Sequence, residues 1–206
     1  MKYKKIITHY RECFKRHGDT ALGMDWPDES EIDVRHEVMH QLMRESGTIL
    51  DFGCGTSHYQ EWVQNGVISK SQHPYTGLDL DAGKIATCKT KFPQHNFLCQ
   101  DILEVPLEKS YDYIMMNGVF TEKLDLSNDE MTEYFEALLT AAWNSCNKGL
   151  AFNVMSKNVD WERDDLFHLP MDYLGTFLSK NLSRDFVIRH DYKLYEYTVY
   201  IYRRKQ

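Results

Sequence analysis

The sequence predicts an α/β fold: a doubly wound, mostly parallel seven-stranded sheet with helices on both faces and a C-terminal antiparallel hairpin. Three observations predict it. Short β-rich runs alternate with helically spaced stretches between residues 48 and 155, the pattern of a parallel sheet covered by helices. A turn with two glycines, "DFGCGTS" at 51–57, follows the first run. The end of the chain, "RDFVIRHDYKLYEYTVYIYRR", is two β-rich arms around a short polar break, which reads as a hairpin added to the sheet edge.

The front of the chain reads differently. Residues 3–16 are helical, with Ile6, Ile7, Tyr10 and Phe14 near one face. After the loop "HGDTALGMDWPDES" a second helix is expected from Pro27 to Glu45, with Ile32, Met39, Leu42 and Met43 apolar and Gly47 as its terminator. Strand "TILDF" precedes helix "TSHYQEWVQNG". Strand "YTGLDL" precedes helix "DAGKIATCKTKF", with Asp81 as N-cap. "NFLCQ" and "YDYIMMN" are the third and fourth strands. "SNDE" at 127–130 fits a capping box opening a helix on which Met131, Phe135, Leu138, Leu139 and Ala142 share one face. Gly149 precedes a fifth strand, "LAFNVM"; 156–170 reads as a loop and 171–180 as a helix. In the last arm Tyr195, Tyr197, Val199 and Ile201 share a face, and the tyrosines of 192–202 are expected to pack across the hairpin.

Composition narrows the function. The chain has 206 residues, enough for one domain with a sizeable core, and is 42% hydrophobic. Its formal charge of -7 disfavours a broad nucleic-acid surface, which needs clustered Lys and Arg. Five cysteines, an odd number with no CxxC, fit neither a disulfide framework nor a zinc ribbon. They read as reduced thiols in a cytoplasmic protein, and no metal-binding set is expected. No apolar run approaches the ~20 residues of a membrane span, and the basic N-terminal stretch lacks the apolar core of a signal peptide.

The glycine turn points to a ligand at the carboxyl ends of the strands. Three ligand classes compete for it. A phosphate-binding P-loop fails, because no Lys or Arg lies between residues 51 and 69. A dinucleotide fingerprint wants a third glycine where His58 stands, which weakens a nicotinamide-dependent oxidoreductase. A nucleoside without phosphate needs only room beside the turn and an acid for its ribose. Asp79 in "GLDLD" follows Gly55 by 24 residues, near the ~20 expected of a ribose-binding carboxylate. It is expected to face the bend at 53–57 across a gap that takes the ligand. Asp101, in "FLCQDIL", follows the third strand and could accept from an adenine amino group.

With these residues in place, the sequence resembles the class I S-adenosylmethionine-dependent methyltransferases, whose sheet is Rossmann-like. "LDFGCGTS", "YTGLDLD", "CQDIL" and "YDYIMMNGVF" look like their first four motifs, over roughly residues 47–155. The resemblance implies an N-terminal helical lid at 1–46 and a methyltransferase domain at 47–206. It implies S-adenosyl-L-methionine as cofactor and S-adenosyl-L-homocysteine as product. Gly53 and Gly55 would flank the methionine part. Asp51 would order the turn or reach the amino group, and Asn117 would lie near the methionine part. Asp79 would hold the ribose, Leu80 would pack on adenine, and Asp101 with Ile102 would meet the adenine edge. Ser57 stands where many members have a third glycine, which a helix-starting serine is expected to tolerate.

The tail, "FNVMSK" and the front "HG…W…R" look similar to a bacterial subgroup associated with glycan or small-molecule biosynthesis. This implies a small-molecule or glycan-precursor acceptor, with a hydroxyl favoured. "NGVF" lacks the prolines of base-amino methyltransferases, and no Pro-Cys pair exists for cytosine C5 chemistry. For a hydroxyl acceptor, His58 just past the glycine turn, His168 in the loop after the fifth strand and His190 beside Asp191 are the candidate general bases, with His58 alternatively capping or covering the cofactor. Trp26 and Arg35 are the lid candidates, the first to exclude water and the second to pair with a ligand carboxylate. A non-catalytic cofactor-binding relative is the remaining alternative.

Overall fold

A computed structural model of the chain describes residues 2–66 and 73–204. Its strands are β1 (Ile49–Phe52), β2 (Tyr75–Asp79), β3 (Asn96–Cys99), β4 (Tyr111–Met116), β5 (Cys146–Ser156), β6 (His168–Leu169), β7 (Phe186–Arg189) and β8 (Glu196–Tyr202). The helices are α1 (Lys4–His17), α2 (Ile32–His40), α3 (His58–Gln64), α4 (Ala82–Lys91), α5 (Asn128–Asn144) and α6 (Met171–Asn181). The sheet runs β3-β2-β1-β4-β5-β8-β7, with β6 paired beside β5. Strands β1 to β5 pair in parallel, and β8 runs antiparallel to both β5 and β7. The expected hairpin is therefore present. The eighth strand is the two-residue β6, inside the stretch read as a loop.

Both faces of the sheet are buried, so its central strands read as apolar runs and not as alternations. Alternation survives in which core each residue enters. Leu50, Ile114, Phe152 and Val199 join one core with Phe135 of α5 and Leu178 of α6. Ile49, Tyr113, Ala151 and Tyr200 join the other with Met39 of α2, Trp62 of α3 and Cys88 of α4. Tyr197, Val199 and Ile201 share the first core as expected, whereas Tyr195 precedes the strand and is exposed.

Two helix ends differ from expectation. α2 stops at His40, and Gly47 does not terminate it. Carbonyls at and just past its end find donors elsewhere: Tyr200 Oη donates to Val38 O (2.5 Å) and Tyr202 Oη to Leu42 O (3.2 Å). The hairpin tyrosines thus satisfy a helix terminus as well as packing against each other. Ser57 does not cap α3. It holds left-handed backbone (φ +66°), the conformation a glycine would take there, and its hydroxyl contacts Tyr75 Oη (3.2 Å) and Cys88 Sγ (3.3 Å). Asp81 does cap α4, accepting from Gly83 N and Lys84 N.

The strand order reverses between β1 and β4, so their connections leave in opposite directions and open a crevice at the carboxyl ends. α1 lies over that crevice, tied by Arg11–Asp81 (3.0 Å), Tyr3 Oη–Asp101 (2.7 Å) and Tyr10 Oη–Gly118 O (3.2 Å). Among the described residues no helix is long and apolar enough to cross a membrane. The expected box on α5 is complete: Ser127 Oγ accepts from Glu130 N (3.2 Å) and Glu130 Oε2 from Ser127 N (3.1 Å). Ser127→Ala is expected to lower stability by about 0.5–2 kcal/mol, seen as a lower urea midpoint with an unchanged slope.

Candidate active site

The turn from β1 to α3 begins the site. Gly53 (φ +72°) and Gly55 (φ +55°) take left-handed backbone. A Cβ on Gly55 would lie 2.4 Å from Met24 Sδ, and one on Gly53 2.9 Å from Val119 Cγ2. Gly53 N and Cys54 N both donate to Leu78 O of β2 (2.8 and 2.9 Å). The turn is thereby fastened to the next strand by main chain alone.

Asp79 fastens it a second time. Its Oδ2 accepts from Gly55 N (3.0 Å) and its Oδ1 from Asp81 N (2.8 Å). No gap separates this acid from the bend, contrary to expectation; the carboxylate touches the turn, and the open space lies alongside both. Burial pushes the Asp79 carboxyl up, while Lys84 and the two amides favour its ionised form. Asp51, at the end of β1, accepts from Tyr75 Oη (2.7 Å). Burial pushes it up to about 7, partly opposed by that hydrogen bond.

A cavity opens beside these groups. Asp51, Gly53, Gly55, Asp79, Leu80 and Asn117 all line it, as does Trp26. Ile6, Ile7 and Tyr10 of α1 close one side. Two of its lining side chains carry buried polar atoms without a hydrogen-bond partner: Asn117 Nδ2, and both ring nitrogens of His36. Asn117 Oδ1 accepts from Asn153 Nδ2 (3.1 Å), so its amide is oriented while its donor is free. Such atoms cost free energy unless a ligand or water meets them. Burial holds His36 neutral, down to about 3.

A second cavity adjoins the first, and Trp26 and Gly118 line both. Trp26 packs edge-on against His36 at 5.5 Å between ring centres. The second cavity is rich in acids, among them Asp25, Glu122 and Glu196. Burial and the charge of Asp25 push Glu122 up to about 7. Glu196 is buried on β8 between Asn153 Nδ2 (2.8 Å) and Arg35 Nε (3.2 Å).

Several expected site residues do not reach a cavity in the expected way. Arg35 lines the second cavity, but its guanidinium is taken by Glu31 (2.7 Å) and Glu196. It is not free for a ligand carboxylate. The Asp101 carboxylate is held by Tyr3 Oη and Leu103 N (3.0 Å), and neither it nor the buried Ile102 lines the first cavity. His168 sits on β6 with Nδ1 2.6 Å from Ser156 O and Nε2 accepting from Arg163 N (3.2 Å). Both ring nitrogens are engaged, and the ring lines neither cavity. His190 lies in the hairpin turn, edge-on to Tyr197 at 6.3 Å, also off both cavities.

The sequence reading missed His36, Glu122 and Glu196. His36 carried a signal: it falls on the i, i+4, i+7 stripe of Ile32 and Met39. Glu122 lies in a loop with no periodic signal. Glu196 is a charge at the start of a strand, and only tertiary pairing with Arg35 explains its burial.

Comparison with known proteins agrees with this geometry. Residues 49–142 match the family model described as "Methyltransferase domain". The provisionally named methyltransferase Rv1506c of Mycobacterium tuberculosis is 24% identical over 159 residues, covering 75% of this chain and 92% of that protein. The malonyl-[acyl-carrier protein] O-methyltransferase of Bacillus anthracis is 31% identical over 119 residues; the alignment covers 54% of this chain but only 43% of that enzyme. Among solved structures, the 1,6-didemethyltoxoflavin-N1-methyltransferase of Burkholderia thailandensis, with bound S-adenosylhomocysteine, superposes at TM-score 0.69. That match has 13% identity and covers 99% of this chain and 90% of the other. The magnesium protoporphyrin IX methyltransferase of Synechocystis PCC 6803, with bound SAM, gives 0.63 at 16% identity, covering 96% of each chain. At such identities these two matches speak for the fold, and the family match speaks for the glycine turn and the strands around it. Sheet order, turn and family model converge on one part of the chain: residues 49–142 match a methyltransferase domain, set in the Rossmann-like sheet of the S-adenosylmethionine-dependent methyltransferase fold.

Proposed function

We propose that the first cavity holds S-adenosylmethionine and the second receives a small-molecule or sugar acceptor, methylated on a hydroxyl. The wall that the two cavities share, Trp26 and Gly118, carries this reading. It lets a donor in one cavity meet a nucleophile in the other. When bound, the sulfonium supplies a methyl group open to in-line displacement. The chain's task is then to hold nucleophile, methyl and sulfur in line and keep water out.

The lining fits the cofactor. The left-handed glycine turn leaves room at 53–55 for the methionine part, and the free Asn117 Nδ2 suits its carboxylate. Asp51 suits its ammonium. Asp79 keeps lone pairs for ribose hydroxyls after accepting two amides, because an ionised carboxylate offers about four acceptor sites. Leu80 suits the adenine face. Asp101 and Ile102 reach the adenine edge only if Tyr3 of α1 gives up its hydrogen bond.

On the acceptor side, Trp26 forms the wall that shields the methyl from water. Of the three histidines suggested by the sequence, His58 lines the first cavity, on the cofactor side, and His168 and His190 lie off both; Glu122 takes their place as the group to accept the hydroxyl proton. Glu122 lines the second cavity, the space proposed for the acceptor.

The reading is tested by incubating the protein with labelled S-adenosylmethionine and panels of sugars, sugar nucleotides and hydroxylated small molecules. Release of S-adenosylhomocysteine with a methylated hydroxyl product is expected. A melting shift with NAD alone would contradict it. Asp79→Asn is expected to weaken cofactor binding at least tenfold by titration calorimetry, and Asp81→Asn less than threefold; equal losses would remove Asp79 from the ribose. Cofactor affinity is expected to rise between pH 6 and pH 8. Asp51 is raised to about 7, so below that value the cationic ligand must first displace a proton, and above it the carboxylate is already ionised. Asp51→Asn should flatten this dependence. With an acceptor in hand, Glu122→Gln is expected to lower kcat about 100-fold or more with little change in KM.

A further inference from the structure

Three donor atoms of different chemistry converge beside the second cavity. His9 and Cys13 stand four residues apart on α1, so they leave the same face of that helix. Asp25 ends the short 3-10 turn Leu22–Met24 and holds left-handed backbone, φ +61°. Asp25 Oδ2 lies 2.7 Å from His9 Nε2. Cys13 Sγ lies 3.8 Å from His9 Nε2 and 3.7 Å from Asp25 Oδ1. A tetrahedral zinc ion, bonded at about 2.0–2.3 Å, spaces such ligand atoms roughly 3.3–3.6 Å apart. Different oxygens of Asp25 face the two partners, and one donor atom from each of the three side chains lies within 4.8 Å of the others, close enough for a single ion to draw them to that spacing.

We propose that His9, Cys13 and Asp25 form a binding site for one zinc-class divalent ion. The mixed nitrogen, sulfur and oxygen set favours zinc over magnesium or calcium, which prefer all-oxygen shells. Thiolate and carboxylate together balance the charge of the ion. Arg16 Nη2 lies 3.9 Å from Cys13 Sγ. Binding forms a metal–sulfur bond and breaks the S–H bond, and the proton goes to solvent. Cys13 is buried, while His9 and Asp25 are partly exposed and both line the second cavity. The fourth coordination position is left for water or a ligand atom there. The ion joins α1 to the turn that carries Met24 and precedes Trp26, and so fixes the lid. The site stands independently of which acceptor, if any, the second cavity takes.

The test uses the full chain after treatment with a chelator. Zinc is titrated against a chromogenic competitor, and cobalt(II) is added separately as a spectroscopic probe. One zinc per chain is expected, with affinity falling at least tenfold in Cys13→Ser, His9→Ala and Asp25→Asn. Cobalt should give a tetrahedral spectrum with a thiolate charge-transfer band that Cys13→Ser abolishes and Cys99→Ser retains. Far-ultraviolet circular dichroism and an unchanged melting response to S-adenosylhomocysteine confirm that each variant folds. No bound zinc, equal binding by the variants, equal preference for magnesium, or a charge-transfer band that depends on Cys99 would each overturn the proposal.

Discussion

The structure depends on one buried carboxylate. Asp79 accepts an amide from the glycine turn after β1 and another from its own loop after β2. The two loops at the mouth of the crevice are thus locked to each other through a single side chain. Left-handed backbone at Gly53 and Gly55 lets the turn come this close. Because each carboxylate oxygen has spare lone pairs, the group that sets the turn is also free to meet a ligand.

From this lock the rest of the site follows by contact. Asp81, held by Asp79, caps α4 and pairs with Arg11 of α1, which brings the N-terminal helix over the cavity. Asn117 follows β4 and lines the same cavity, oriented by Asn153, which also holds Glu196 and through it Arg35. A chain of polar contacts therefore runs from the first cavity to the second, with Trp26 between them. In a low-dielectric interior such a network is rigid only when each member is satisfied. The exceptions, Asn117 Nδ2 and the ring of His36, both face the first cavity.

Most of the fold was legible in the sequence, for local reasons. The capping box at Ser127, the Asp81 cap, the glycine turn and the terminal hairpin are all written in neighbouring residues. The end of α2 was not, because the hydroxyls of Tyr200 and Tyr202, about 160 residues away, donate to the carbonyls of Val38 in its last turn and Leu42 just beyond it. The two-residue β6 is too short to show any period. Within the site, the residues near the turn could be read from spacing to Asp79. The acceptor side could not. Arg35 looked free until Glu196 was seen beside it, and His168 looked free until β6 tied both its nitrogens to main chain. Charge pairing between distant segments decided each case, and no local pattern records it.

The central claim is that the space beside the Asp79-locked turn takes the sulfonium donor. Its most direct test is a crystal structure of the chain with S-adenosylhomocysteine. The account predicts the ribose hydroxyls within hydrogen-bond distance of the Asp79 carboxylate, with the sulfur turned toward the wall at Trp26 and Gly118. A nucleoside bound elsewhere, or a turn that lets go of Asp79 to admit it, would contradict the account.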